Sequence, residues 1–498
     1  MISLCILLLF GVVYNDFSKR NFTSLVLLVG WLSFLVVLYT VMLTFINSNV
    51  YGGFLNGNFI LDTYSSKIKI IVLLLSAACI VVSLDYIKCE RLNSFEYYIL
   101  LLLALLGALI FLSSNSLLSM YLAIELQSLS LYVLAAFKRN STFSTEAGLK
   151  YFILGAFSSG LILFGSSLIY GFTGLSDFSC IKSLFEFYKI FYDVSINNLI
   201  FNTSVEFIPR GIEIGFLFLL VGLLFKLGSA PFHMWVPDVY EGVPTSITTF
   251  FAVVPKVIMV SFILKLLCYS FYDLVVIWKF VIGICCIFSV IIGTFSAMYQ
   301  RKLKRFLAYS SISHVGYMLL GLTIGSQGGA TMTLLYVIVY AIMSLNIWSI
   351  VLSLNSSSLK GSKFLRIQYL SELNILTNRN PALGFSLIIS LFSMAGVPPL
   401  IGFWAKWLLF LLCIQESTLF LMIFVILTSV VGAFYYIRII KIMIFDKQFY
   451  SELNFTLPID WNKTYIIVIT TFFIIFGFFV LPFLYNFVEN LTSYLFLL

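Results

Sequence analysis

The sequence predicts an all-α polytopic membrane protein of about fourteen transmembrane helices, and three features carry that prediction. Of 498 residues, 61% are hydrophobic and 10% charged, with a mean hydropathy of +1.07, which is more apolar surface than a soluble core hides. Apolar windows roughly 20 residues long recur from one end of the chain to the other. Basic residues collect in every second connection between them.

The windows centre near residues 8, 34, 76, 105, 126, 160, 220, 255, 288, 315, 342, 395, 428 and 475. The first, MISLCILLLFGVVY, is short. It lacks the basic start and small-residue cleavage site of a signal peptide, so it is expected to be a helix. An even number of spans puts both termini on one side. Lys19, Arg20, Lys88, Arg91, Lys138, Arg139, Arg301, Lys302, Lys304, Arg305, Lys360, Lys363, Arg366, Arg379, Arg438, Lys441 and Lys447 all follow odd-numbered windows. That is about seventeen of the 29 basic residues, against about seven on the other side. The basic side is expected to be the matrix or cytoplasm, with the termini opposite. This bias accounts for the net charge of +8, and no nucleic-acid partner is needed. The excess of Phe, Leu, Ile, Tyr and Ser also suits an AT-rich organellar genome.

Soluble-enzyme chemistry is mostly excluded. There is no Gly-rich nucleotide fingerprint and no phosphate loop, and the largest connection, about residues 173 to 211, is mixed in charge. The eight cysteines form no CxxC, and Cys285-Cys286 lies inside a window, so iron-sulfur and zinc ligation are not expected. With His233 and His314 the only histidines, a haem pair is not expected either.

Charges inside the spans are costly and therefore candidates for function. Glu125 sits in MYLAIELQSLSLYVLAAF, where Tyr121, Glu125, Ser128 and Tyr132 recur at helical spacing on one face; gluing two helices together is its plainer role. Lys226 precedes GSAP, where Pro231 denies the carbonyl of Leu227 its usual amide, so the helix should break there and free carbonyls able to hold a cation. Lys256 follows Pro255, with Thr249 and Thr245 on the same face, and lies too deep to snorkel easily. Lys406 belongs to LFSMAGVPPLIGFWAKWLLFLL, where Pro398 and Pro399 should break another helix. Gly-x-x-Pro thus occurs from Gly228 to Pro231 and from Gly396 to Pro399, each time in a span with a lysine. Paired broken helices mark an internally repeated transporter fold with its site at the breaks. The expected units are a three-helix segment over residues 1–97, two inverted five-helix repeats over 98–270 and 272–445, each with a broken helix, and a C-terminal helix segment over 446–498.

Five motifs in this order, MYLAIELQSLSLYV, STEAGLKYFILGAFSSG, FKLGSAPFHMWVPDVYEGVPT, KRFLAYSSISHVGY and MAGVPPLIGFWAKW, closely resemble the antiporter-like membrane subunits of respiratory NADH:quinone oxidoreductase, complex I, over about residues 80 to 445. The lysine at 406 resembles subunit 2, whereas the sister subunit 4 carries a glutamate there. The resemblance implies a proton relay in which Glu125 is the buried glutamate, Lys226 the broken-helix lysine, Lys256 the central lysine and Lys406 the distal one, with Lys150 a further member of the polar axis. It also implies NADH, FMN, iron-sulfur clusters and ubiquinone in partner subunits with no cofactor on this chain. The implied partners are subunit 4, the small membrane subunits and membrane lipids such as cardiolipin. The setting is the mitochondrial inner membrane or, alternatively, a bacterial plasma membrane.

The residues suit that chemistry. A desolvated ammonium gives up its proton more readily, a carboxylate beside it holds the proton, and a second cation loosens it, so small rearrangements can load and discharge a buried lysine. Glu125 and Lys226 are expected to protonate as a unit, with Lys256 switching and Lys406 passing the proton onward. The alternative is a stand-alone Mrp-type cation/proton antiporter. Lysines at the centre oppose bound sodium, which prefers oxygen ligands. A purely structural subunit leaves the deep lysines unexplained. His233, Asp238 and Glu241, around Pro237 on the basic side, are either a proton entry or a hydrated helix connection. His314, with Ser310, Ser311 and Ser313 nearby, lines a water path or makes a packing hydrogen bond. Arg438 and Lys441 are expected to anchor lipid headgroups.

Overall fold

A span in an apolar solvent must satisfy every backbone N–H and C=O within its own segment, so helix is the form that these sequences impose. The computed structural model describes residues 1–17, 22–90, 94–197, 209–358, 364–366, 368–446, 453–454 and 460–497. Lys19, Arg20, Arg91, Lys360, Lys363 and Lys447 lie outside the described residues.

The chain opens with α1 (Ile2–Phe17) and α2 (Phe22–Ile46), followed by an antiparallel hairpin of β1 (Gly52–Phe54) and β2 (Phe59–Leu61). Next come α3 (Thr63–Glu90), α4 (Glu96–Ser113), α5 (Leu117–Ala135), α6 (Thr142–Thr173), α7 (Phe178–Asn197), α8 (Arg210–Leu227), α9 (Trp235–Gly242) and α10 (Thr245–Lys265). A wide helical turn at Leu266–Ser270 leads to α11 (Val275–Met298), α12 (Leu303–Ile324) and α13 (Gln327–Ser353). Beyond them lie β3 (Asn355–Ser358), β4 (Phe364–Arg366), α14 (Leu376–Arg379), α15 (Pro381–Ala395), α16 (Ile401–Gln415), α17 (Leu419–Phe445), β5 (Leu453–Asn454) and α18 (Trp461–Leu497). Strands β4, β3 and β5 pair in that order. Strand is thus confined to connections, and the all-α reading of the spans holds.

Among the described residues, eleven helices are long and apolar enough to cross a membrane, and α15 and α16 are shorter apolar helices, as is Ile2–Tyr14 within α1. Each expected centre falls on a helix, that at 395 on the last residue of α15. The connection after residue 173 differs from expectation in carrying a full helix, α7. Helices α10, α12 and α13 are buried on nearly all sides, so they form the middle of the bundle. Helices α2, α6, α17 and α18 turn much of their apolar surface outward.

Two local features position the site. Helices α6 and α8 touch through Gly165 and Gly215: a methyl group on either would come within 2.5 and 2.9 Å of the other's carbonyl oxygen, so no larger residue allows that approach. The basic connections also meet at one end. Lys138 Nζ lies 2.6 Å from Glu90 Oε2, Lys304 donates to Val243 O at 2.7 Å, and Arg438 Nη1 donates to Met298 O at 3.0 Å. These contacts join the connections that follow the third, fifth, seventh, ninth and thirteenth windows, as the charge bias predicts.

Candidate functional site

Helix α8 ends where expected. Gly228, with φ of 79°, caps it by donating to Leu224 O and Phe225 O, and Pro231 follows before α9 starts. A positive φ suits glycine because no Cβ meets the carbonyl. Lys226, in the last turn, places Nζ 3.5 Å from Glu125 Oε1 on α5, with side chains 11% and 23% exposed. That is an ion contact, too long for a good hydrogen bond, and neither atom finds a hydrogen-bond partner among the described residues. Lys226 faces a cavity lined also by Gln127, Ser128, Tyr132 and Ser158. The Glu125 helix therefore presents a polar face, as its spacing predicts.

A second, smaller cavity is lined by both Lys226 and Lys256, with Tyr151, Trp235, Tyr240 and Pro255. The two lysines share this chamber although they come from different helices. Lys256 is 5% exposed, and its Nζ donates to the hydroxyl of Tyr340 on α13 at 3.2 Å. The ammonium also lies over the rings of Tyr240 and Tyr340, at 5.9 and 5.1 Å from their centroids. Its company is therefore aromatic, whereas the sequence suggested threonines; Thr249 donates its hydroxyl to Ser246 O.

From Tyr340 the buried polar groups continue to His314 on α12. The two rings lie 5.3 Å apart, and the imidazole bonds the hydroxyls of Tyr336 at 2.7 Å through Nδ1 and Tyr436 at 3.2 Å through Nε2. Ser310, Ser311 and Ser313 donate instead to carbonyls of their own helix. Tyr317, one turn along α12, lies 5.8 Å from His314 and beneath the Lys406 ammonium, at 4.9 Å. His314 lies within the electrostatic reach of both Lys256 and Lys406.

Lys406 closes the chain at the second break. Gly396, with φ of 90°, ends α15, and Lys406 Nζ on α16 donates to Met394 O at 2.8 Å and Ala395 O at 3.1 Å. The carbonyls freed by this second break hold a cation, the protein's own ammonium, whereas at the first break, where the sequence suggested such a cradle, Lys226 Nζ has no hydrogen-bond partner among the described residues.

Lys150 is not part of this buried line. Its side chain is 44% exposed and pairs with Glu146 at 2.8 Å and Asp238 at 3.0 Å, at the basic end of the bundle. The resemblance put it on the polar axis, but it is only two turns into α6 and close to acidic partners. Asp238 also meets Arg305 at 3.4 Å, and Glu241 meets Arg305 at 3.5 Å and Lys302. The acidic pair of α9 thereby ties α6 to α12. His233 is 9% exposed, and its Nδ1 has no partner among the described residues.

Sequence reasoning did not single out the aromatic hydroxyls of Tyr240, Tyr317, Tyr336, Tyr340 and Tyr436. Tyr336 and Tyr340 are four apart, and His314 and Tyr317 three apart, a helical-face spacing that could have found them.

A model described as the NADH:quinone oxidoreductase/Mrp antiporter transmembrane family matches residues 114–432. The NADH-ubiquinone oxidoreductase chain 2 of Marchantia polymorpha is 43% identical over 474 residues, covering 95% of this chain and 92% of that protein. The NADH-quinone oxidoreductase subunit N of Parvibaculum lavamentivorans is 39% identical over 476 residues, covering 96% and 91%. A chain of respiratory complex I from Thermus thermophilus with bound aureothin superposes with a TM-score of 0.74 at 26% identity, over 96% of this chain and 98% of that one. The match to the family model, which takes in both broken helices, and the near full-length relatives show that the chain belongs to the NADH:quinone oxidoreductase/Mrp antiporter family of membrane proteins.

Proposed function

We propose that this chain is the proton-translocating antiporter-like subunit 2 of NADH:ubiquinone oxidoreductase, complex I, and that its own relay runs from Glu125 and Lys226 through Lys256 and His314 to Lys406. One observation carries the relay: Lys226 and Lys256 line one chamber, and Lys256 reaches Lys406 through the hydroxyls and rings around His314. NADH oxidation, flavin, iron-sulfur clusters and quinone belong to partner subunits, subunit 4 and the small membrane subunits among the neighbours. The fourteen-span count, the two inverted repeats over 98–270 and 272–445 and lipid contacts at Arg438 and Lys441 are part of the same reading. The setting is a multi-pass one, in the mitochondrial inner membrane or a bacterial plasma membrane.

The geometry indicates how a proton would move. Glu125 Oε1, at 3.5 Å, compensates the Lys226 ammonium only in part, so a shift of the carboxylate changes the field in the shared chamber. With Lys226 charged and its carboxylate withdrawn, repulsion favours loss of a proton from Lys256 Nζ. Tyr340 and His314 offer oxygen and nitrogen atoms to pass it on. Lys406, once its own proton has moved on, takes this one and is again an ammonium held by two carbonyls. When Glu125 closes on Lys226, the repulsion falls and Lys256 reloads. Sodium exchange fits less well, because the carbonyls of the second break, the natural sodium ligands, already hold an ammonium.

Lys256→Met tests this. Methionine keeps the length and apolar stem while removing the amine, so packing survives better than with alanine. Lys256→Arg keeps a charge that does not cycle. Both complexes should assemble, and both should lose quinone-linked NADH oxidation, proton transfer or both. Unchanged turnover and proton-to-electron ratio in assembled Lys256→Met complexes would remove Lys256 from the mechanism.

A further inference from the structure

Lys256 is not the last ammonium buried on α10. Nine residues on, roughly 13 Å along the helix axis, Lys265 is 4% exposed and faces away from the Tyr340 side. Its Nζ lies 3.2 Å from Asp62 Oδ2 at the start of α3 and 3.4 Å from Leu112 O on α4. Asp62 is itself 4% exposed. Lys69, two turns along α3 and also buried, lies within the electrostatic reach of both Lys265 and Asp62.

The cluster stands at the end of the bundle opposite the basic connections. Helix α10 starts beside Val243, whose carbonyl holds Lys304 at the basic end, and reaches Lys265 at its other end. There the β1–β2 hairpin covers the cluster: Phe59 bridges to Ser114, and Asn115 N donates to Asn58 O at 2.9 Å.

Two facts point to protonation chemistry beyond a structural ion pair. First, two ammonium groups share one carboxylate, so the fully charged cluster holds an uncompensated positive charge in an apolar surround, and loss of one proton relieves it. Secondly, three buried polar atoms on the cluster's own segments, Thr63 Oγ1, Asn115 Oδ1 and Ser270 Oγ, find no hydrogen-bond partner among the described residues. Buried polar atoms of this kind are ordinarily satisfied by water. Ser270 belongs to the wide turn Leu266–Ser270 directly after Lys265, a helix distortion frequent at functional sites. Between the levels of Lys256 and Lys265, Tyr64 on α3 donates to Ser261 O on α10 at 2.8 Å, tying the two helices together.

We propose that Asp62, Lys69 and Lys265 form a second proton-exchange site, through which protons pass between the relay and the compartment opposite the basic connections. In release, one ammonium gives its proton to water, leaving a neutral amine and a hydronium ion, and the cluster goes from one excess positive charge to none. The remaining ammonium stays balanced by Asp62. Outside the cluster, Tyr269 on the wide turn lies within the electrostatic reach of Asp62, and Cys180 and Glu186 on α7 act on Tyr269, whose ring also lies 5.0 Å from Lys182 Nζ.

The inference rests on the proton-translocating reading and is tested beside it. Lys69→Met leaves the Asp62–Lys265 pair intact and removes the excess charge. A structural cluster would be unharmed or steadied by this change, whereas an exchange site loses the group that cycles. The triple variant Asp62→Asn/Lys69→Met/Lys265→Met removes the whole cluster without leaving an orphan charge. In the whole complex reconstituted into vesicles, both variants should assemble and show a lower proton-to-electron ratio. If Lys256→Met is impaired while assembled Lys69→Met keeps its turnover and ratio, the second site is refuted and the relay stands. If Lys256→Met is also unchanged, the relay reading fails.

Discussion

Replacing Gly396 by alanine separates what a glycine does for the backbone from what it does for the chemistry. At φ of 90°, an L-residue with a Cβ is strained by about 1–2 kcal/mol, or about 5- to 30-fold in the folded-to-unfolded ratio. The added methyl would also lie 3.2 Å from Lys406 Cδ and 3.4 Å from Nζ. A lysine chain gives way easily, so the methyl is accommodated by moving the ammonium. That movement lengthens the bonds to Met394 O and Ala395 O, each worth about 1.5–3 kcal/mol for a charged donor. Gly396→Ala should therefore lower stability and, in complexes that assemble, turnover.

Gly174 supplies the control. It ends α6 at φ of 69°, and a methyl group added there would meet no atom within 4 Å, so Gly174→Ala carries a similar backbone strain without touching a lysine. Thermal inactivation of the complex should be hastened in both variants. Quinone-linked NADH oxidation per assembled complex should fall in Gly396→Ala alone. If assembled Gly396→Ala turns over as fast as Gly174→Ala, the two carbonyls do not set the working position of Lys406.

Tyr340→Phe removes the oxygen that accepts from Lys256 while keeping the ring beneath the ammonium; assembly should persist and proton transfer should slow. His314→Phe removes the imidazole bonded to Tyr336 and Tyr436, and its turnover should fall with that of Tyr340→Phe, the double variant being little worse than either single one if the two lie on one route. Single cysteines introduced at positions 139 and 303 should label from the same side of the membrane, and labelling from opposite sides would refute the sidedness.

The span positions were legible because lipid leaves the backbone one economical solution and the windows register it directly. The two breaks were legible too, since Gly-x-x-Pro both removes an amide and permits a left-handed turn. The pairing of Glu125 with Lys226 was expected from the resemblance rather than from a local pattern, and the carbonyl cradle of Lys406 was not foreseen, because both join helices whose relative rotation is decided by packing. Lys150 shows the limit most clearly. Its place in a span is visible in the sequence, but its exposed rotation toward Glu146 and Asp238 is not. The tyrosines escaped notice because a chain with 28 Tyr and 52 Phe residues gives aromatic spacing little contrast. The Asp62–Lys265 pair joins residues some two hundred positions apart, beyond the reach of any local periodicity.

The distribution of buried charge bears on direction as well as route. Lys226 has a carboxylate at 3.5 Å, Lys406 has two carbonyls within 3.1 Å, and Lys256 between them has one tyrosine hydroxyl at 3.2 Å and two ring faces. The end members are thus held by full or partial negative charge, and the middle one by much weaker acceptors. In a low-dielectric interior, a change of charge at either end acts strongly on the group that has the least of its own. That makes Lys256 the member most responsive to its neighbours, and it is the one whose proton the shared chamber exposes to Lys226. Moving a carboxylate beside Lys256, as in Met259→Glu on the next turn of α10, would hold its proton in place. An assembled Met259→Glu complex should then be slowed as severely as Lys256→Met, although the lysine itself is untouched, and normal turnover in it would show that the charge on Lys256 does not need to cycle.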